Sequence, residues 1–302
     1  MPSFMTSSAS VADSIGTVAR GTGLLLASLV SLTVGTSFVS TATALEVEIR
    51  PTNPQLGDTL TILVQAESAD EPPPVVTMGD RTFPTFPLGN NQFQALLPTT
   101  PLDDPGRVVV QVTGETVVRN LAVWVSDRSF PTQSLWISGS DDLGTDYEFD
   151  RVDEFKALVS DQQLWSGSFL RPTSGPVTTI YGIRRYYNGV FAEDYYHRGV
   201  DYAAGTGTPV VAPAAGIVAL VDYEANGFEI HGNTVGLDHG QGVASIFLHL
   251  SRIDVQEGDR VEAGQVIGAV GSTGISTGPH LHWGLYVHGQ AVDPVPWRDG
   301  VE

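Results

Sequence analysis

Punctuation constrains this chain more than any other feature. Between Glu46 and about Val125 apolar and polar residues alternate in short runs, "LTILVQA", "NQFQALLP", "RVVVQVTG" and "LAVWVS", broken by Gly, Pro, Asn and Asp. Alternation with period two puts one apolar face on an extended segment, and regular turn signals between such segments predict an all-β chain. The pattern lapses after Val125 and resumes beyond Trp165 in "PVVAPAAGIVALVDY", "NTVGLDHG", "ASIFLHLS", "QVIGAVG" and "LHWGLYVHG". Two β domains follow: an immunoglobulin-like β-sandwich over residues 45–138, and an antiparallel β-sheet domain over residues 165–302. The acidic, glycine-containing stretch "GSDDLGTDYEFD" at 139–150 reads as solvated linker. After it Val152, Phe155, Leu158, Val159 and Leu164 recur at helical spacing, so residues 139–164 are expected to be linker and a short helix. The cluster "TFPTFPLGNN" reads as a loop.

A length of 302 residues suits two domains plus additional sequence. Fifteen Lys and Arg against thirty-four Asp and Glu give a net charge of -19, which repels nucleic-acid phosphates and anionic lipid headgroups, so no nucleic-acid partner is expected. There is no cysteine, so any metal must be held by His, Asp, Glu or backbone. The uncharged run "GTGLLLASLVSLTVGTSFVSTATAL" after Arg20, with small residues at Ala42 and Ala44, predicts a signal peptide over 1–44 and a mature start at Leu45. The competing reading is an uncleaved membrane anchor, because the stretch nearly spans ~30 Å of hydrocarbon. Both place the remainder outside the cytoplasm, in the periplasm or at the cell wall.

All seven histidines lie from His197 onward. In "GPHLHWG" strand alternation puts His280 and His282 on one face, with Leu281 and Trp283 on the other. In "HRGVD" a fully extended chain would separate His197 from Asp201 by ~13 Å. Shared ligation therefore needs a bend, and Gly199 is where the sequence permits one. Imidazoles with a carboxylate and no thiolate are the ligand chemistry of a catalytic zinc site, three protein ligands with an open position. His249 in "IFLHLS" is a further in-strand histidine. His231, His239 and His288 each precede a Gly and read as structural turn residues, as does Asn233. The tyrosine-rich "RRYYNGVFAEDYY" either rims a groove or is a solvent-facing insertion.

The order "HRGVDYAAGTGTPVVAPAAGIV", "GNTVGLDHGQGVASIFLHLS", "VQEGDRVEAGQVIGAVGSTGISTGPHLHWGLYVHG" resembles the lysostaphin-type zinc metalloendopeptidases, exported peptidases that cut peptidoglycan cross-links. The resemblance runs from about Trp165 to the C-terminus. The preceding β domain, with "FPTQSLWIS" after it, is similar to an accessory module upstream in some members. What the resemblance implies is one Zn²⁺ per chain held by His197, Asp201 and His282, a catalytic pair His280 and His249, and peptidoglycan stem peptides as substrate. The chemistry is consistent with that set. No H-E-x-x-H glutamate is present, so His280 is the expected general base, with a protonated His249 stabilising the oxyanion. Three rival readings exist. A non-catalytic regulator of cell-wall amidases would lack the ligands, a phosphohistidine carrier would leave Asp201 without a role, and a plain adhesion sandwich would leave the histidine bias unexplained.

Overall fold

Residues 45–66, 71–136 and 144–300 are described in a computed structural model, so the expected signal segment over 1–44 lies outside the described residues. Strands β1 (Glu46–Arg50), β2 (Thr59–Gln65), β3 (Val75–Met78), β4 (Arg81–Phe83), β5 (Phe86–Gly89), β6 (Gln92–Pro98), β7 (Gly106–Thr113) and β8 (Val118–Val125) form two four-stranded antiparallel sheets. Their orders are β1-β2-β6-β5 and β4-β3-β7-β8. Alternation aims Leu60, Ile62 and Val64 of β2 and Ala95 and Leu97 of β6 at Val76 of β3 and Val110 and Val112 of β7, and all are buried in one shared core. The expected loop "TFPTFPLGNN" is instead two short strands, and the chain crosses from one sheet to the other between them. Pro84 lies in the crossing between β4 and β5, Pro87 is tolerated in β5 because it is an edge strand, and Phe83 and Phe86 are buried.

Strand β9 (Thr132–Leu135) follows, then helix α1 (Asp146–Lys156). The helix begins earlier than its apolar period suggests. Thr145 caps it by accepting the Glu148 N–H at 3.0 Å, and the acidic residues expected to be solvated linker form its first turn, where the helix dipole favours negative charge. Val152 and Phe155 are buried as expected, but Leu158 and Val159 lie past the C-cap and are exposed.

The second domain contains β10 (Val177–Thr179), β11 (Arg184–Tyr187), β12 (Val190–Phe191), β13 (Gly199–Ala203), β14 (Pro209–Val211), β15 (Gly216–Asp222), β16 (Thr234–Gly240) and β17 (Val243–Leu248). It continues with β18 (Arg252–Ile253), β19 (Arg260–Val261), β20 (Val266–Ala269), β21 (His280–Val287), β22 (Gln290–Val292) and the short helix α2 (Pro294–Asp299). Its main sheet is ordered β10-β13-β21-β17-β16-β15-β19, with β22 on β21. The tyrosine-rich insertion is the hairpin β11–β12, and β9 (Thr132–Leu135) joins it in parallel. The first domain is also fastened to the second. Asp293 N–H donates to Gly57 O at 2.8 Å, Arg128 pairs with Asp293 at 2.7 Å, and Gln94 donates to both Gln163 and Gln241. His288 sits in the β21–β22 turn as expected, and its ring stacks on Phe86 of the first domain at 6.4 Å.

Behind β21 the core closes on a polar chain. His239 is a strand residue of β16 rather than a turn residue. Its Nδ1–H donates to Ala215 O at 2.8 Å, its Nε2 accepts from the Ser245 hydroxyl at 2.9 Å, and Ser245 Oγ accepts from Trp283 Nε1 at 3.2 Å. Every proton in this chain has one place, and only neutral His239 satisfies it. Burial pushes His239 down to about 4. The unfolded chain takes up a proton near pH 6.5 that the folded one refuses, so stability falls as pH drops through the window from 6.5 to 4. At pH 5 His239 alone is expected to contribute a loss of about 2 kcal/mol relative to pH 7.5. Chemical denaturation of the chelator-treated chain at both pH values measures it, and a His239→Gln variant whose pH slope equals that of the wild type would contradict the assignment.

Candidate metal centre and active site

β13 and β21 run antiparallel with Asp201 directly opposite His282, which brings the two side chains together across one ladder rung. His197 stands two residues before β13. Its N–H donates to Ile183 O at 2.8 Å and its carbonyl accepts from Gly182 N–H at 2.9 Å, which turns the ring back over the strand. Gly199 is required, but not for a bend. A Cβ there would lie 2.3 Å from Trp283 O and 2.8 Å from the His282 ring, so the glycine makes room for a ligand.

Three donor atoms converge. Asp201 Oδ1 lies 2.9 Å from His282 Nδ1 and 3.1 Å from His197 Nε2, and His197 Nε2 lies 3.1 Å from His282 Nδ1. All three residues are buried, and they form the one such group of three among the described residues. In a tetrahedral zinc site with bonds of about 2.0–2.1 Å, ligand atoms stand about 3.3 Å apart. The triangle fits that spacing after a small opening. His197 Nδ1–H donates to Ile180 O at 2.9 Å, which leaves Nε2 bare for a metal. Burial by itself would raise the Asp201 carboxyl, but its close contacts with His197 and His282 outweigh it and hold the group well below the usual carboxylate range. Burial pushes His282 down to about 4, against the pull of Asp201, so it is a neutral ligand at neutral pH.

His280 and His249 sit beside this cluster without joining it. His280 opens β21 on the same face as His282, and it is half-buried, whereas Leu281 and Trp283 are fully buried on the other face. His249 directly follows β17, whose Leu248 is the register partner of His282. It is not in the strand. Its φ of 63° is left-handed, and its N–H donates to His231 O at 3.0 Å. The two rings stand 4.8 Å apart. His280 Nδ1 bonds Gly278 O at 2.8 Å and His249 Nδ1 bonds Thr273 O at 2.9 Å. A carbonyl only accepts, so each Nδ1 carries the proton and each neutral ring offers a bare Nε2. Burial, then the nearby His280 and His282, push His249 down to about 3. With its Nδ1–H on Thr273 O, the buried His249 ring offers Nε2 as a proton acceptor.

One residue of this apparatus is not signalled by the histidine pattern. Glu148 of α1 is fully buried and accepts Ile230 N–H at 3.0 Å, His231 N–H at 2.7 Å and His231 Nδ1–H at 2.6 Å. His231 is thus structural, as expected, and its carbonyl holds the backbone of His249. The available signal was "TDYE", a capping-box pattern, but Glu148 turns to a loop 83 positions away instead of back to its own cap. Glu148→Gln is expected to destabilise the chain by about 1–3 kcal/mol, because a buried acceptor is replaced by an amide that cannot take all three donors. The urea midpoint measures this, and an unchanged midpoint would show the network to be dispensable. Asn233 is the turn residue expected, with its Nδ2 donating to Leu250 O at 2.9 Å.

Comparison with known proteins places these residues in company. The peptidase family M23 profile matches residues 195–294. A DD-carboxypeptidase/endopeptidase of Neisseria meningitidis is 46% identical over 99 residues, 33% of this chain and 22% of that protein. A peptidoglycan DD-endopeptidase of Vibrio cholerae is 42% identical over 98 residues, 32% of this chain and 22% of that protein. The matched segment therefore spans about a fifth of these relatives. A crystal structure of a peptidase M23 from Pseudomonas aeruginosa is 27% identical, covers 81% of this chain and 94% of its own, and superposes with a TM-score of 0.57. That coverage extends well beyond residues 195–294.

Proposed function

We propose, from the match of residues 195–294 to the peptidase family M23 profile, that this chain is an exported zinc metalloendopeptidase that hydrolyses peptide cross-links of peptidoglycan. The observation that carries the reading is the convergence of three buried donors on one point, with two uncoordinated imidazoles beside them. A non-catalytic regulator has no need of that set. His197, Asp201 and His282 are the ligands that would hold zinc. When bound, zinc supplies a Lewis acid that makes water nucleophilic near neutral pH and polarises the scissile carbonyl.

The chain's own residues do the rest. A water molecule has two protons, and the bare Nε2 atoms of His280 and His249 accept one hydrogen bond each, which aims its lone pair at the carbonyl. His280, the more accessible ring, is the general base, and it returns the proton to the leaving amine. His249, whose Nδ1–H is committed to Thr273, takes the remaining proton of the attacking water as the adduct forms, supports the oxyanion while protonated, and gives that proton to solvent as the carboxylate product leaves. The first domain, residues 45–138, is read as an immunoglobulin-like docking or spacing module. Its order β1-β2-β6-β5 against β4-β3-β7-β8 supports that reading. Residues 1–44 are read as the export signal, and the mature chain as periplasmic or wall-associated.

The test is digestion of two purified peptidoglycans, one with direct D,D cross-links and one with glycine bridges, with fragments identified by mass. The relatives favour the D,D bond. Release that stops with a chelator and returns with Zn²⁺ is the expected result. Absence of chelator-sensitive release from either wall would overturn the reading in favour of the regulator.

A further inference from the structure

The hairpin before the first metal ligand carries a charge that the chemistry above does not use. Cations are scarce in this chain, 15 Lys and Arg against 34 Asp and Glu. Several of the better-buried ones sit on carboxylates: Arg128 on Asp293, Arg151 on Glu257, Arg298 on Asp299. Arg185 of β11 is half-buried and makes no ion pair among the described residues. Its Nε donates to Gln133 Oε1 at 3.2 Å, and its Nη1 donates to the Tyr195 hydroxyl at 3.0 Å and to that of Tyr187 at 3.4 Å. Glu193 and Asp194, on the loop after the hairpin, are exposed and do not pair with it. Partial burial of a guanidinium against neutral partners alone is unfavourable unless something else completes the pair.

Its position says what that is. The β11 segment starts beside the metal centre, because Ile183 and Gly182 bond both backbone groups of His197. Tyr195, two residues before His197, has two guanidinium groups near its ring, Arg185 at 5.4 Å and Arg198 at 5.6 Å. Burial opposes the charge on Arg185, but Tyr195, Tyr187 and the Asp201 carboxylate outweigh it, so the group stays cationic. A planar guanidinium without a carboxylate of its own is matched by one from a ligand, which it binds in two parallel hydrogen bonds. Cross-linked stem peptides carry free carboxylates close to the bond that is cut.

We propose that Arg185, with Tyr195 and Arg198, forms a carboxylate-binding subsite that holds a free carboxylate of the stem peptide beside the metal centre. The proposal rests on the peptidase reading and names the group that reading leaves unrecognised.

Two cross-linked muropeptide dimers test it, identical except that one has its side carboxylates amidated. The wild type is expected to favour the free acid by about tenfold in KM, since charge-assisted pairs are the strong ones. In Arg185→Gln that preference falls to near one. Arg185→Lys, which keeps the charge but loses the fork, retains part of it. A merely structural Arg185 would weaken both dimers equally and leave the ratio intact, which would overturn the subsite. Should the wild type cleave neither dimer, the peptidase reading fails, yet the subsite is still decided by calorimetry with monomeric stem tetrapeptide, free against amidated. Tighter binding of the free acid in the wild type, lost in Arg185→Gln, supports it; equal affinities overturn it.

Discussion

Alanine at His282 is expected to strip the metal from this chain, whereas alanine at His280 leaves the metal in place and removes turnover. The two residues share a strand face and are one residue apart, but their surroundings differ. His282 Nδ1 is 2.9 Å from Asp201 Oδ1 and 3.1 Å from His197 Nε2, so its loss opens one corner of a three-donor site. Loss of a single supporting hydrogen bond around a metal typically costs 10–100-fold in affinity, so loss of a ligand is expected to exceed about 100-fold. His280 has its Nδ1 on Gly278 O and faces His249 instead, and removal of a general base costs about 10²–10⁴-fold in rate. Metal analysis after dialysis, run beside a cleavage assay, reads both quantities. Zinc near one per chain in His280→Ala and near none in His282→Ala is the expected pair, and equal zinc loss in both would sink the division of roles.

Gly199→Ala is expected to abolish the metal site without touching a ligand. The added methyl would lie 2.3 Å from the Trp283 carbonyl and 2.8 Å from His282 Cε1 and Nε2. Trp283 belongs to β21, which is held on both sides by β13 and β17, so its backbone has no free direction in which to retreat. The clash must push out either the β13 strand or the His282 ring, and overpacking of this kind costs about 1–3 kcal/mol or more. Thermal unfolding together with zinc content reads the result. Gly205→Ala is the control, since a methyl there would meet nothing within 4 Å. A Gly199→Ala chain that melts and binds zinc as the wild type does would show that the site tolerates a displacement the geometry forbids.

Much of the site was legible because β-strand geometry is periodic. Two histidines at i and i+2 share a face whatever else the chain does, and their alternation with Leu281 and Trp283 separates site from core. The ligand set came from resemblance, and register then supplied the physical reason for it: Asp201 meets His282 across a rung, which no local pattern specifies. Among the expectations that fail, three do so for closely related reasons. The "TFPTFPLGNN" segment reads as a loop because it carries prolines, and edge strands accept prolines. Residues 146–150 read as linker because they are acidic, and a helix N-terminus favours acids. His249 reads as a strand residue, but the hydrogen bond to His231 O turns it out at the strand end.

The sequence by itself determined the all-β character, the lack of cysteine among possible ligands and the shared face of His280 and His282, while the full set of five site residues is what its family resemblance implies. Those follow from composition, period and motif order, all of which are local or one-dimensional. Only the tertiary structure decided that Gly199 serves clearance and that Glu148, in a stretch that reads as linker, braces the His249 loop. Each of these depends on what stands opposite in space, and burial and hydrogen-bond partners across more than eighty residues are set by packing rather than by sequence neighbours.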